Sequence, residues 1–338
     1  MGGRALKNSF TRRYSRDEFE AAKIELLPRF EKHFEQVTIP RFFANKETFG
    51  DIDVLCQVRG NEDIREIIKN EFGPNEIFHN GNCYSFDYNE LQVDLITTSA
   101  EHFHSNFMYL SFNDLGNMIG RLAHPFGLKY GQEGLWFKYF DHKNHMIGQV
   151  TISKDYPAIF KFFGLDFTKW EEGFNDLEDI FRFVASSPYF DWRQYQMDTL
   201  NHINRERNLK RASYMTLLEW IETNNIRKEY DFLVNKNDYI DMIDAAFPEA
   251  NLPTEVRKLE YRNAEKLYIQ AKFNGNKITR KFGLIGADLG NAIAGYKQYL
   301  KNNHIVDFDK FILNTDEYII WSSFGHFIEN ENSSKIFT

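Results

Sequence analysis

Two aspartates one residue apart, Asp51 and Asp53, stand in the run Gly50-Asp51-Ile52-Asp53-Val54, and a third, Asp94, stands between Val93 and Leu95. Alternate side chains of a strand share a face, so Asp51 and Asp53 point one way while Ile52 and Val54 point the other. Adjacent carboxylates repel, and desolvating them is costly unless a cation or donor compensates. An isolated Asp-x-Asp suits a water-facing strand edge. Three carboxylates converging on one side of a sheet make sense instead around divalent cations. Mg²⁺ takes oxygen ligands, keeps several waters and is completed by substrate phosphates. Two such ions about 4 Å apart stabilise the attacking and leaving oxygens of an in-line displacement. The third carboxylate must then lie within about 8 Å of the other two for ions so spaced to be shared.

The elements around these residues are readable from periodicity. Residues 15–36 predict a helix capped by Ser15, with Phe19, Ala22, Leu26, Phe30 and Phe34 at three-to-four spacing. A strand over Val37–Phe43, a short loop and the Asp51 strand follow. Residues 61–73 read as a second helix, closed by Gly73 and Pro74. Next comes a hairpin with Asn89-Glu90 as its two-residue turn. That turn sets Tyr88 opposite Leu91, Asp87 opposite Gln92, Phe86 opposite Val93, Ser85 opposite Asp94 and Tyr84 opposite Leu95. Tyr84, Phe86, Tyr88, Val93 and Leu95 then share the apolar face; Ser85, Asp87, Gln92 and Asp94 share the other.

A strand with h-D-h-D-h (h, hydrophobic) followed by a later h-D-h strand resembles the DNA polymerase beta-type nucleotidyltransferase superfamily, which includes poly(A) polymerases and tRNA CCA-adding enzymes. The matching residues are Gly50–Val54 and Val93–Leu95, within residues 37–97. The resemblance implies that Asp51 and Asp53 hold both Mg²⁺ (or Mn²⁺) ions while Asp94 serves the ion nearer the attacking hydroxyl. It also implies an α+β fold: a small mixed-sheet catalytic domain over 1–150, a helical domain over 151–247 and a mostly helical one over 248–338. The superfamily's Gly-Ser or Gly-Gly pair, which grips the triphosphate about ten residues before the aspartates, is missing; residues 43–48 read Phe-Ala-Asn-Lys-Glu-Thr. Lys46 and Thr48 beside Gly50, or the upstream Gly2-Gly3-Arg4, are the candidates to replace it.

Further along, Gly127, Gly131 and Gly134 predict a loop carrying Lys129 and Tyr130, which is either a plain turn or a holder of base or phosphate. Residues 155–224 read as helical, with Trp192, Tyr195, Thr199 and Ile203 as one apolar stripe. Arg205, Arg207, Lys210 and Arg211 crowd seven residues; they form a solvated helical face or receive a polynucleotide backbone. Gly283 and Gly286 precede a helix near Ala287, with Lys277, Arg280 and Lys281 nearby as a second candidate nucleic-acid contact. Arg4, Lys7, Arg12 and Arg13 add a basic patch.

The chain has 338 residues and a net charge of −8, so any nucleic-acid contact must use such local patches. Its 33 Phe and 17 Tyr against 8 Pro mark an ordered chain rather than a low-complexity one. Cys56 and Cys83 are too few for a disulfide framework and are expected to pack as small apolar groups. His102/His104 and His142/His145 lack a third ligand at a convincing spacing. No apolar run is long enough to span a bilayer, and no basic-plus-apolar leader is present, which predicts a cytoplasmic protein without a membrane partner. The expected activity is template-independent transfer of NMP from an NTP, such as ATP, to a nucleic-acid 3′ end, RNA favoured, with release of pyrophosphate. A protein, tRNA or small-molecule acceptor, or an inactive binding module, is the alternative.

Overall fold

Ser15 starts the first helix with a reciprocal cap: its hydroxyl accepts from Glu18 N–H, and the Glu18 carboxylate accepts from Ser15 N–H at 2.8 Å. In the computed structural model, which describes residues 5–60, 62–303 and 307–336, strand β1 (Tyr14–Ser15) leads directly into helix α1 (Arg16–Glu31). Phe19, Leu26 and Phe30 are buried on one side of it. The helix stops five residues short of the expected 36. Glu35 N–H donates instead to Gln57 O, and Gln36 O accepts from Gln57 N–H, so the chain has already joined a sheet edge.

Strand β2 (Val37–Thr38) is shorter than expected, because Pro40 has no N–H to offer and Arg41 N–H turns to the Ser111 hydroxyl. Strand β3 (Thr48–Phe49) pairs with β1. Strand β4 (Asp51–Gln57) follows, then α2 (Ile64–Phe72), capped by Asp63 and closed by Gly73 at φ 56°. Strands β5 (Ile77–Asn80), β6 (Cys83–Tyr88) and β7 (Leu91–Thr98) complete a five-stranded mixed sheet in the order β2-β4-β7-β6-β5. The β6–β7 register matches the expectation pair for pair, from Tyr88↔Leu91 to Tyr84↔Leu95. Both turn residues are left-handed, Asn89 at φ 47° and Glu90 at φ 63°, as a twisted two-residue hairpin requires. Ile52, Val54, Phe86, Val93 and Leu95 pack with α1 into one core. Cys56 is fully buried in β4 and Cys83 lies in β6; burial raises both thiols, Cys83 to about 12.

Helices α3 (Ala100–Leu110) and α4 (Leu115–Ala123) are joined by Phe112 and Asn113, consecutive non-glycine residues at φ 62° and 58°. The glycine-punctuated stretch after α4 is not a loop. It forms β8 (Leu128–Gly131) and β9 (Gly134–Phe140), which with β10 (Met146–Ser153) make a three-stranded antiparallel sheet. Leu128 and Tyr130 alternate inward around Lys129, a two-residue period that the flanking glycines disguise.

Helices α5 (Tyr156–Phe162), α6 (Phe167–Glu172), α7 (Leu177–Ser186), α8 (His202–Leu209), α9 (Ala212–Thr223) and α10 (Ile240–Ala246) follow. The apolar stripe read across 192–203 is broken. Trp192–Tyr195 and Met197–Thr199 are separate 3₁₀ turns, and Ile203, on α8, is 70% exposed. Residues 1–253 form one compact unit and residues 254–338 another. The second is helical: α11 (Leu252–Lys272) enters it, and α12 (Gly275–Phe282), α13 (Gly286–Asn302), α14 (Phe308–Asn314) and α15 (Glu317–Ile336) lie within it. Its core is aromatic, built on Phe273, Tyr296, Trp321, Phe324 and Phe327. Among the described residues, no helix is long and apolar enough to cross a membrane.

Candidate metal centre

Strands β4 and β7 run parallel, and their register sets Asp53 directly beside Asp94 and Asp51 beside Gln92. Buried neighbours, Ile52 and Val54 on one strand and Val93 and Leu95 on the other, hold both backbones in place. One carboxylate oxygen from each of Asp51, Asp53 and Asp94 lies within 4.8 Å of the other two, well inside the limit for shared ions. Among the described residues, no other group of three or more His, Cys, Asp or Glu side chains converges in this way.

The electrostatics of the trio are unfavourable without a cation. Desolvation and the charges of Asp51 and Asp94 hold the Asp53 carboxyl well above the usual range, against the opposing pull of Lys46. Desolvation and Asp51 push Asp94 up to about 6. Neutral donors offset part of this. Gln92, 2% exposed, donates from Nε2 to Asp94 Oδ1 at 2.9 Å, and the Ser85 hydroxyl also bonds Asp94. Gln92 Oε1 in turn accepts from Ala5 N–H at 2.9 Å. An all-carboxylate donor set, crowded and short of positive charge, fits a hard divalent ion such as Mg²⁺ or Mn²⁺.

Asp51 and Asp53 line a cleft of about 580 Å³. Its rim includes Arg13, Lys46, Thr48 and Gly50 on one side and Asn113, Asp114 and Ser213 on the other. Lys46 is half-buried; desolvation lowers its ammonium, while Asp51 and Asp53 act in the opposite sense. Its Nζ lies 4.7 Å from the Phe49 ring centroid and 3.4 Å from Asn113 Oδ1. The Thr48 hydroxyl accepts from Arg13 Nε at 3.0 Å and Nη2 at 2.9 Å. Arg16 donates to the carbonyls of Ala44 and Lys46, which fixes the loop in front of the aspartates.

The remaining sequence-predicted residues are distributed unevenly. Gly2, Gly3 and Arg4 lie outside the described residues. Lys129 and Tyr130 do not line the cleft: Tyr130 is 6% exposed, packed against Tyr109 and Tyr156, so it is a core residue and not a base platform. Arg211 reaches the far rim, where Nη1 pairs with Asp114 Oδ1 at 3.0 Å; the Ser213 hydroxyl donates to the same carboxylate. Arg205 is occupied in bonding the carbonyls of Met197 and Leu200, while Arg207 and Lys210 are exposed. In the second unit, Lys277 pairs with Glu317 at 2.7 Å, Lys281 stacks 5.3 Å from the Trp321 ring centroid, and Arg280 is exposed.

Gln92 and Ser85 stand on the carboxylate face of the hairpin and bond Asp94, a role that no charge or motif in the sequence marks. Asn113, Asp114 and Ser213 carried no local signal, because only tertiary packing brings them opposite β4. No protein-family model matches this chain, and no curated protein matches it in sequence, so the chemistry of the site rests on its own geometry.

Proposed function

We propose that the chain is a metal-dependent nucleotidyltransferase that moves NMP from an NTP to a nucleic-acid 3′ hydroxyl, RNA favoured, and releases pyrophosphate. The observation that carries this reading is the convergence of Asp51, Asp53 and Asp94, the first two of which line a cleft with Lys46 and Arg13 on its rim. The strand–hairpin pattern around them is the one that resembles the polymerase beta-type superfamily.

Divalent ions bound by the three carboxylates would neutralise phosphate charge and stabilise the oxygens that bond to and leave the α-phosphorus. Asp51 and Asp53 would hold both ions, and Asp94 would complete the set on the side of the attacking hydroxyl. Lys46 and Arg13 take the place of the missing glycine pair, with side-chain cations in place of backbone N–H groups to receive the phosphates. In the transfer, the acceptor oxygen bonds to the α-phosphorus, the bridging bond to the β-phosphate breaks, and the hydroxyl proton leaves to a base or water.

Each radiolabelled NTP offered in turn, with Mg²⁺, to single-stranded RNA, DNA and protein tests this reading. Labelled, lengthened RNA is the expected result. Label on protein alone removes the nucleic-acid acceptor; label on nothing, with every NTP, removes the transferase.

A further inference from the structure

Helix α4 has one end at the cleft, through Asp114, and the other at a second concentration of charge. Arg121 lies in its last turn and His124 just beyond it. Lys129 lies on β8, Lys138 on β9, and Lys236 on a 3₁₀ turn over residues 236–239. The elements are tightly joined. Lys236 Nζ is 3.5 Å from His124 Nε2. Gly127, at φ 76°, accepts from Lys138 N–H, and a Cβ there would come within 3.1 Å of the Lys236 Cβ, so glycine lets that turn press onto the sheet. The register sets Lys129 opposite Trp136, and Lys138 stands two residues further along the same face. Lys129 Nζ lies 4.6 Å from the Trp136 ring centroid.

Among the described residues, no carboxylate pairs with Lys129, Lys138 or Lys236, nor with Arg121, whose guanidinium donates to the Gln194 carbonyl and adds its charge to the cluster from there. Partial desolvation, then Lys236, Arg121 and Lys138, push His124 down to about 4. Lys236 is lowered by desolvation and then by Lys138 and Arg121. In a chain with 49 acidic side chains against 41 lysines and arginines, a cationic cluster without acidic partners is suited to an anion from outside.

We propose that this face of the three-stranded sheet binds the sugar-phosphate backbone of a single-stranded polynucleotide. The cations are spread over four elements and an open face instead of converging on one point, which suits a run of phosphates better than a single one. The nine residues of α4 rise about 13 Å, roughly four nucleotides at about 3.4 Å each, so a strand on this face can present its end at the cleft. The proposal rests on the reading of the acceptor as a polynucleotide.

The test is fluorescence anisotropy of a labelled single-stranded RNA with the full chain in EDTA, over a series of salt concentrations. Wild type and Asp53→Asn are expected to bind alike. Lys138→Glu with Lys236→Glu should weaken binding at least about tenfold and flatten the log–log salt slope by about 1.4, two contacts at about 0.7 each. If melting shows the reversal pair to be misfolded, Lys138→Gln with Lys236→Gln carries the same expectation. Unchanged affinity and slope in a folded pair overturn the site. So does calorimetric binding of inorganic phosphate that the pair abolishes while RNA affinity stays constant. A chain that extends RNA but shows no dependence on these lysines loses this site and keeps the transferase reading. One that binds RNA through them but transfers nothing loses the transferase reading and keeps the site.

Discussion

The two sheets of the first unit each gather charge of one sign, and they do so in opposite surroundings. On β4 and β7 three carboxylates sit between buried apolar neighbours, with Lys46 the nearest compensating cation. On β8 and β9 Lys129 is exposed over the Trp136 ring and Lys138 is half-buried beside it. Repulsion at close range in a desolvated site is strong and is relieved by a small cation held by several ligands. Repulsion at a wet surface is screened and is relieved by a long, charged partner. Burial, more than sign, separates a site built for an ion from one built for a chain.

The largest expected effect lies at the centre of the acidic trio. Asp53→Asn should lower Mg²⁺-dependent transfer by about 10²–10³-fold, the scale of a lost transition-state contact. It should also raise the melting temperature of the metal-free protein by a few degrees, because it removes a repelling charge. Transfer rates and melting curves in EDTA check both. An active variant, or one that unfolds, breaks the contrast between the sheets, since Asp53 would then be serving structure.

Next in size is the donor behind the trio. Gln92→Ala takes away the amide that bonds Asp94 Oδ1 and accepts Ala5 N–H. Loss of such a supporting partner costs about 10–100-fold in metal affinity or rate. The expected pattern is a lower kcat and a weaker Mg²⁺ requirement curve with little change in NTP KM, whereas a merely destabilised variant recovers its rate on cooling. Gln92 also shows what a sequence makes visible. Its place on the carboxylate face follows from alternation and a two-residue turn, the same reasoning that set Ser85 opposite Asp94. Its role escaped notice because an uncharged residue shows no repulsion to explain. The β8–β9 hairpin was hidden for a different reason: three glycines in eight residues mask a strand only four residues long. The far rim of the cleft, from Asn113 to Ser213, exists only once α4 and α9 are packed, and no local pattern encodes it.

The two clusters should also respond to pH in opposite directions. Asp94 has a folded value near 6 against an ordinary 3.8, so its ionised form is disfavoured in the fold. Its contribution to stability is complete below about pH 3.8 and is lost as pH rises towards 6, on the order of 2–3 kcal/mol for the metal-free protein. His124 is lowered from 6.5 to about 4, so its contribution is complete above pH 6.5 and is lost as pH falls through that interval. That loss should be the smaller one, since solvent screens an exposed group. Melting in EDTA from pH 4 to 7 should show Asp94→Asn flattening the alkaline side and His124→Asn the acid side. Saturating Mg²⁺ should restore stability above pH 6 in wild type alone; an equal gain in Asp94→Asn would detach Asp94 from the ion.

The smallest effect concerns what holds Asp94 in register. The hairpin turn places Glu90 at φ 63°, a conformation that costs a side chain about 1 kcal/mol and glycine almost nothing. Glu90→Gly relieves that cost but gives up the exposed 2.9 Å pair with Arg12, which solvent screens. The bond from Arg12 N–H to the backbone carbonyl of residue 90 survives the change. The balance should fall between no change and about 1 kcal/mol of stabilisation, read from denaturant midpoints. Transfer activity should not move, because the buried pair Phe86↔Val93 and the partly buried pair Tyr84↔Leu95 hold the strands against slippage whatever the turn contains. If activity falls while stability rises, the register of the carboxylates is set at the turn, and the apolar face merely accommodates it.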